Sequence, residues 1–194
     1  MELNLTRLLR LNSEPDFSSG HASYYVHLPD LAPFGYLHTI FAPPDVETLR
    51  RCAESLRLPA VLNLFFTYQN GADLFFNALS LFGVLEPGRL LSRMSERSET
   101  PFDLQELNSQ SRLSAEGEWL LIGSYSFDGT RVMLHRPTGG VQAVERKRGQ
   151  KLSEWPCLGT YLKEEMERLL PLYDEAGKLL VEKKYTVPGS EAAA

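Results

Sequence analysis

The stretch that most constrains the fold runs from residue 118 to residue 149. Glu118–Ser124 reads as a strand and Arg131–Arg136 as a second, joined through Phe127-Asp128-Gly129-Thr130. Asp-Gly between two apolar runs is a hairpin signal, because glycine accepts the positive φ that tight turns need. Pro137-Thr138-Gly139-Gly140 turns the chain again, Val141–Glu145 reads as a third strand, and Arg146-Lys147-Arg148-Gly149 closes the unit. Strands this short, linked by turns, pair with antiparallel neighbours; a parallel partner needs a crossover of about a dozen residues. An antiparallel meander buries one face, so the rest of the chain has to supply the cover.

The cover is legible on both sides of the meander. Pro43-Pro44-Asp45 suits a helix start, where the first N–H groups have no intrahelical partner to lose. Val46, Leu49, Ala53 and Leu56 then recur at helical spacing, with Glu47, Arg50, Arg51 and Glu54 on the other face. Pro59 opens a second helix whose buried face is Val61, Leu62, Phe65 and Phe66, and Asn70-Gly71 ends it as a left-handed stop. Leu74–Val84 reads as one or two short buried strands, Pro87-Gly88 as a turn and residues 92–101 as an exposed loop. Asp103–Ser109 is a short helix with Leu104 and Leu107 inward. Leu158, Leu162, Met166, Leu169 and Tyr173 mark a closing amphipathic helix to about Asp174, distorted at its end by Pro171.

Before residue 43 the pattern is weaker. Leu3, Leu5, Leu8, Leu9 and Leu11 suit a short helix or a strand, Ser18-Ser19-Gly20 a turn, Ala22–Leu28 and Gly35–Phe41 strands, and Pro29 and Pro33 bound a loop. The chain shows no internal repeat and no linker between two domains. The expected architecture is a single-domain α+β fold, a mainly antiparallel sheet packed against helices. Residues 1–42 form an N-terminal extension that completes or covers the domain at 43–175. Residues 176–194 are a tail, disordered from Pro188-Gly189 onward.

The ordered set of motifs resembles the SUKH superfamily. It comprises Leu58-Pro59, Asn70-Gly71, Leu79-Ser80-Leu81-Phe82-Gly83, Leu121-Ile122-Gly123, Phe127-Asp128-Gly129, Val132-Met133-Leu134 and the helix from Leu158, across roughly residues 43–175. Each motif is weak alone; their order carries the resemblance. Members of that superfamily are mostly bacterial immunity proteins that bind and neutralise toxins, with some eukaryotic regulators of cell-wall synthesis. The resemblance therefore implies a binder with no cofactor. Several residues in this span also have a folding role: Gly71 and Gly129 where φ is positive, Gly123 at a bulge or close backbone approach, and Trp119 in or beside the core.

Catalytic patterns are sparse. There is no phosphate-cradling Gly-rich loop. Gly123-Ser124-Tyr125-Ser126-Phe127-Asp128-Gly129 lacks the spacing of a nucleophile elbow and is better explained as a hairpin. His21, His27, His38 and His135 form no metal-binding pair, although His27 and His38 could meet in space. Cys52 and Cys157 have no zinc spacing and read as buried thiols on helices. Cys157, ahead of a helix, would be a nucleophile only beside a histidine. Two free cysteines, and an N-terminus without a basic and apolar leader, fit a cytoplasmic setting. No apolar run reaches the roughly 18 residues of a membrane helix.

A net charge of -5 and a pI near 5.4 argue against nonspecific nucleic-acid binding. The expected partner is a protein, with a toxin nuclease as the leading type and a regulatory or scaffold role as the alternative. Tyr125, Phe127 and Asp128 at the hairpin tip are the contact candidates, because exposed aromatic residues anchor interfaces. Asp103 and Glu106 form a second candidate patch. They lie in an acidic stretch with Glu96, Glu99, Glu116 and Glu118 that a basic partner could meet. Arg146-Lys147-Arg148, with Arg131, Arg136 and Lys151, make a local basic cluster.

Overall fold

The computed structural model describes residues 2–11, 14–28, 35–86, 100–110 and 117–189. Its strands are β1 (Phe17–Ser18), β2 (Ala22–His27), β3 (Tyr36–Phe41), β4 (Ala72–Leu74), β5 (Leu79–Leu81), β6 (Trp119–Tyr125), β7 (Arg131–His135), β8 (Val141–Val144) and β9 (Lys151–Trp155). They form one nine-stranded antiparallel sheet in simple sequence order. The helices among the described residues are α1 (Leu5–Leu8), α2 (Val46–Leu56), α3 (Ala60–Tyr68), α4 (Leu104–Gln110) and α5 (Leu158–Leu169). A 3-10 turn over Leu170–Leu172 follows α5, where Pro171 prevents the α-helical ladder from continuing. The fold is α+β in one domain, as the sequence pattern implies.

The sheet is longer than the sequence reading implies. The sheet does not stop after Val144: the 146–149 segment is a turn into a further strand, β9. The strands expected at Ala22–Leu28 and Gly35–Phe41 are present: β1–β3 extend the sheet before α2 and α3 enter between β3 and β4. The N-terminal residues thus complete the sheet.

One turn design recurs at a ten-residue step, a repeat the sequence reading missed. In Tyr125–Thr130, His135–Gly140 and Glu145–Gln150 the first residue's N–H donates to the sixth residue's carbonyl at 2.8 Å. The fifth residue's N–H returns to the first carbonyl at 2.8–3.0 Å. That fifth residue is Gly129, Gly139 or Gly149, with φ of +75°, +75° and +70°. The left-handed position needs a residue without Cβ strain, which fixes glycine there.

Helix α2 is capped by Asp45, whose carboxylate accepts from Thr48 N–H at 2.9 Å, and it ends on Arg57 with φ of +51°. Its buried side is Thr48 and Cys52, with Leu49, Ala53 and Leu56 half-buried; Val46, expected inside, is 85% exposed. Helix α3 buries Leu62, Phe65 and Phe66, but Gly71 is not its left-handed stop. The helix ends on an extended Gln69, and Gly71 (φ +82°) begins the path into β4 against the Leu81 carbonyl, where no Cβ would fit. Gly123 sits at a register shift, where a Cβ would lie 2.6 Å from the Ser80 carbonyl.

Two buried asparagines clamp the backbone of neighbouring segments. Asn70 binds the N–H and C=O of Val84 at 2.7 and 2.8 Å, and Asn108 binds those of Leu121 at 2.9 and 2.8 Å. Each primary amide satisfies two backbone groups that would otherwise be buried without partners. In the core, Leu62 and Phe66 of α3, Leu81, Leu104, Ile122 and Leu162 of α5 meet around a gap of about 10 Å³. Ala22, Tyr24 and Phe41 form a small separate cluster near the β1 edge.

Residues 176–189 pack on the domain. Gly177 lies against Leu28 and Leu37, while Thr186, Val187 and Pro188 are buried. Ser190 to the C-terminus, the Pro29–Pro33 loop, the Pro87-Gly88 turn and residues 92–99 lie outside the described residues; Thr100 and Pro101, which end that expected loop, are buried.

Candidate functional site

In an antiparallel meander alternate turns share an end. The β4–β5, β6–β7 and β8–β9 turns therefore project together, and the structure fastens them to one another. Ser126 N–H donates to the Ala78 carbonyl at 3.1 Å, joining the first turn to the second. Gly129 lies against the Arg146 side chain, with space for a Cβ closed to 2.9 Å from Cδ, joining the second to the third. Phe76 is 47% exposed on the first tip and Phe127 49% exposed on the second. Arg146, Lys147 and Arg148 are exposed on the third and form no ion pair among the described residues.

The tips are built differently. The second and third use the glycine turn, with a carboxylate turned inward in each: Asp128 accepts from Thr130 N–H at 2.8 Å, and Glu145 from Arg148 N–H at 3.0 Å. The first has no glycine. Phe75, Phe76 and Asn77 are consecutively left-handed, with φ of +54°, +50° and +63°. Left-handed backbone costs about 1–2 kcal/mol per non-glycine residue, with asparagine the mildest case.

Packing holds that turn. Phe75 is buried, stacked on Tyr173 (centroids 5.2 Å apart) and edge-on to His38 (4.8 Å). Tyr173 OH donates to the Phe75 carbonyl at 3.1 Å, Phe76 N–H to the Leu37 carbonyl at 2.8 Å, and Phe75 N–H to His38 Nδ1 at 3.4 Å. Burial lowers the His38 pKa to about 4, so the ring is neutral at pH 7 and its Nδ1 can accept. Phe75 faces inward, and Phe76 is turned to solvent.

Tyr125, expected at the exposed tip, is instead completely buried at the end of β6. Its hydroxyl donates to Glu165 Oε2 at 2.7 Å and lies 3.2 Å from the Tyr161 hydroxyl. Glu165, 1% exposed, is held by Arg168 through bonds of 2.7 and 3.0 Å, and Arg168 also donates to the carbonyls of Tyr185 and Thr186. Burial first, and then the neighbouring Tyr161 and Glu165, push the Tyr125 phenol well above its usual range. Burial likewise raises Tyr161, so both phenols stay protonated. Tyr125 thus anchors the base of the hairpin and offers no surface.

The remaining candidates separate. Phe127 and Asp128 share the tip surface. Asp103 is half-buried, and its Oδ1 accepts from Gln105 and Glu106 N–H at 2.8 and 3.4 Å as the start of α4. Glu106 is exposed on the same helix, which bonds to β6 at Leu121. Four residues along β6 separate that level from Tyr125, roughly 13 Å at strand rise, so the acidic and tip candidates form two surfaces. The basic cluster also divides. Arg136 works at the opposite end of the sheet, donating to the carbonyls of Leu56, Gly117 and Trp119, and Lys151 pairs with Glu154 at 2.6 Å.

His27 packs on Tyr36 and His38 on Phe75, so the two do not form a pair. Among the described residues there is no group of three or more His, Cys, Asp or Glu side chains that could hold a metal. Cys52 is buried within α2, and burial raises its pKa to about 12. Cys157, expected as buried on a helix, is a half-buried N-cap of α5. Its Sγ lies 3.3 Å from Thr160 Oγ1, and that hydroxyl, with nearby backbone N–H groups, holds the thiol below its usual range. No described helix is long and apolar enough to cross a membrane.

Phe76 was missed because a Phe-rich run reads as buried strand. The only local hint is Asn77, which tolerates left-handed backbone. No family model matches the chain and no curated protein matches it, so the resemblance to the SUKH superfamily rests on the sequence motifs alone.

Proposed function

We propose that this chain is a non-enzymatic protein-binding domain that neutralises a cognate partner, in the manner of an immunity protein, by covering it with the hairpin-tip surface. The observation that carries the reading is the pair Phe76 and Phe127, each about half exposed, on turns joined by the Ser126–Ala78 hydrogen bond. Aromatic anchors already held in place lose little side-chain entropy on binding, so more of their burial energy becomes affinity. The cationic Arg146, Lys147 and Arg148 beside them favour an acidic face on the partner at this contact. A basic nuclease would suit the Asp103–Glu106 surface better.

The test is a capture from native lysate with the wild-type chain and with Phe76→Ala/Phe127→Ala, followed by an assay of the captured protein's own activity. The reading expects one protein retained by the wild type, lost by the double variant, and inhibited only when the wild-type chain is added. A protein retained equally by both chains would overturn the site. A partner whose activity is unchanged by the chain would overturn neutralisation and favour a regulatory or scaffold role.

A further inference from the structure

The sheet's last strand borders a second surface. β9 pairs with β8 on one side, and no strand among the described residues pairs with its other side. Backbone groups along a strand point alternately to its two sides, so an edge strand carries donors and acceptors ready for another chain. Beside this edge runs α5, and between them lies a cleft of about 710 Å³. Ser153, Glu154 and Trp155 form the strand wall; Glu164 and Arg168 of α5, with Leu172 of the 3-10 turn after it, form the facing wall. Residues 187–189 close the Leu152 end, where a Cβ at Gly189 would sit 3.4 Å from the Leu152 carbonyl. Ser153 to Trp155 remain alongside the cleft.

An edge strand facing a helix across a cleft is the geometry in which an extended peptide adds as a further strand. Its main chain bonds to the edge and alternate side chains enter the cleft. Charge selects the occupant. Three carboxylates, Glu154, Glu164 and Glu165, face one guanidinium, Arg168. Arg168 is spent on Glu165 and on the carbonyls of Tyr185 and Thr186. Lys151 reaches Glu154 at 2.6 Å, while Glu164 is exposed with no ion pair among the described residues.

We propose that the cleft between β9 and α5 binds an extended basic peptide segment of a protein partner, added as a tenth strand with a lysine or arginine toward Glu164. This site is separate from the hairpin tips, so either can fail without the other.

The test is to pan a random phage-displayed peptide library against the full immobilised chain, then titrate the enriched synthetic peptides by fluorescence polarisation. The expected winners alternate β-branched residues with lysine or arginine and protect the amides of residues 151–155 from hydrogen exchange. Glu164→Lys, a surface change that leaves the core intact, should weaken them by about tenfold or more through charge reversal. Phe76→Ala/Phe127→Ala should bind them as the wild type does. Failure to enrich any peptide, protection of amides elsewhere, or equal binding to Glu164→Lys would each overturn the proposal.

Discussion

The first and second hairpin tips lie side by side and solve the same problem in opposite ways. At Tyr125–Thr130 the left-handed position is occupied by Gly129, and the turn's own backbone bonds close it. At Phe75–Asn77 three non-glycine residues are left-handed together, and the bonds that hold them come from β3 and the segment after α5. The second turn is specified locally; the first is imposed by tertiary packing. Imposed turns cluster where a side chain has to be presented in a fixed direction, and here that side chain is Phe76. The contrast also says where each turn is vulnerable: one at its glycine, the other at its distant supports.

The largest effect is therefore expected at Phe75. Phe75→Ala leaves the left-handed backbone in place but removes the ring between His38 and Tyr173. A buried Phe→Ala change costs about 3–5 kcal/mol. Urea denaturation should show this loss, with faster amide exchange at Phe76 and Ala78. A loss below about 1 kcal/mol, the range of a surface change, would mean that the turn does not depend on its packing.

Acid should act on the same support. The folded pKa of His38 is lowered to about 4 from an ordinary 6.5, so the unfolded chain takes up the proton first as pH falls. Its contribution is full above 6.5 and is lost as pH drops from 6.5 toward 4, a span of at most about 3 kcal/mol. His38→Asn, which keeps an acceptor but cannot titrate, should flatten that part of the stability–pH curve. Parallel curves for the two proteins over this window would remove His38 from the account.

How much of this was readable in the sequence follows the same division. The hairpin at Asp128-Gly129, the α2 and α3 starts at Pro43–Asp45 and Pro59, the Leu104 helix and the closing amphipathic helix are local signals, and the structure contains them all. The ten-residue spacing of Gly129, Gly139 and Gly149 was equally local and went unread, and with it β9. Tyr125 and Phe76 were beyond local reasoning. Whether an aromatic at a turn faces in or out depends on Glu165, forty residues on from Tyr125, or on His38, which bonds Phe75 from thirty-seven residues back. The Asn70 and Asn108 clamps belong to the same class, since their partners lie 14 and 13 residues away in sequence.

The glycine turns should give smaller losses of a local kind. Gly149 has open space around it and a φ of +70°, so Gly149→Ala tests the backbone alone. A loss of about 1 kcal/mol is expected from the left-handed penalty. Gly129→Ala should cost about the same, because the Arg146 chain it meets is flexible, but it displaces Arg146 as well. Equal stability of Gly149→Ala and wild type in thermal melts would show that the turn's glycine is dispensable.

The smallest difference is also the sharpest, because it reverses the usual order of two residues. Phe76→Ala and Phe76→Gly remove the same half-exposed ring and should lose partner binding alike. In a strand or helix, glycine is less stable than alanine by about 0.5–1 kcal/mol. At a φ of +50° alanine carries the left-handed penalty of about 1–2 kcal/mol and glycine does not. The difference leaves Phe76→Gly more stable than Phe76→Ala by about 0.5–1 kcal/mol. Paired denaturation curves read this directly, with the lost ring contacts cancelling between the two variants. An alanine variant more stable than the glycine variant would mean that residue 76 is not left-handed in solution. The first tip would then be an ordinary turn, and its phenylalanine would lose the fixed direction on which the proposed surface depends.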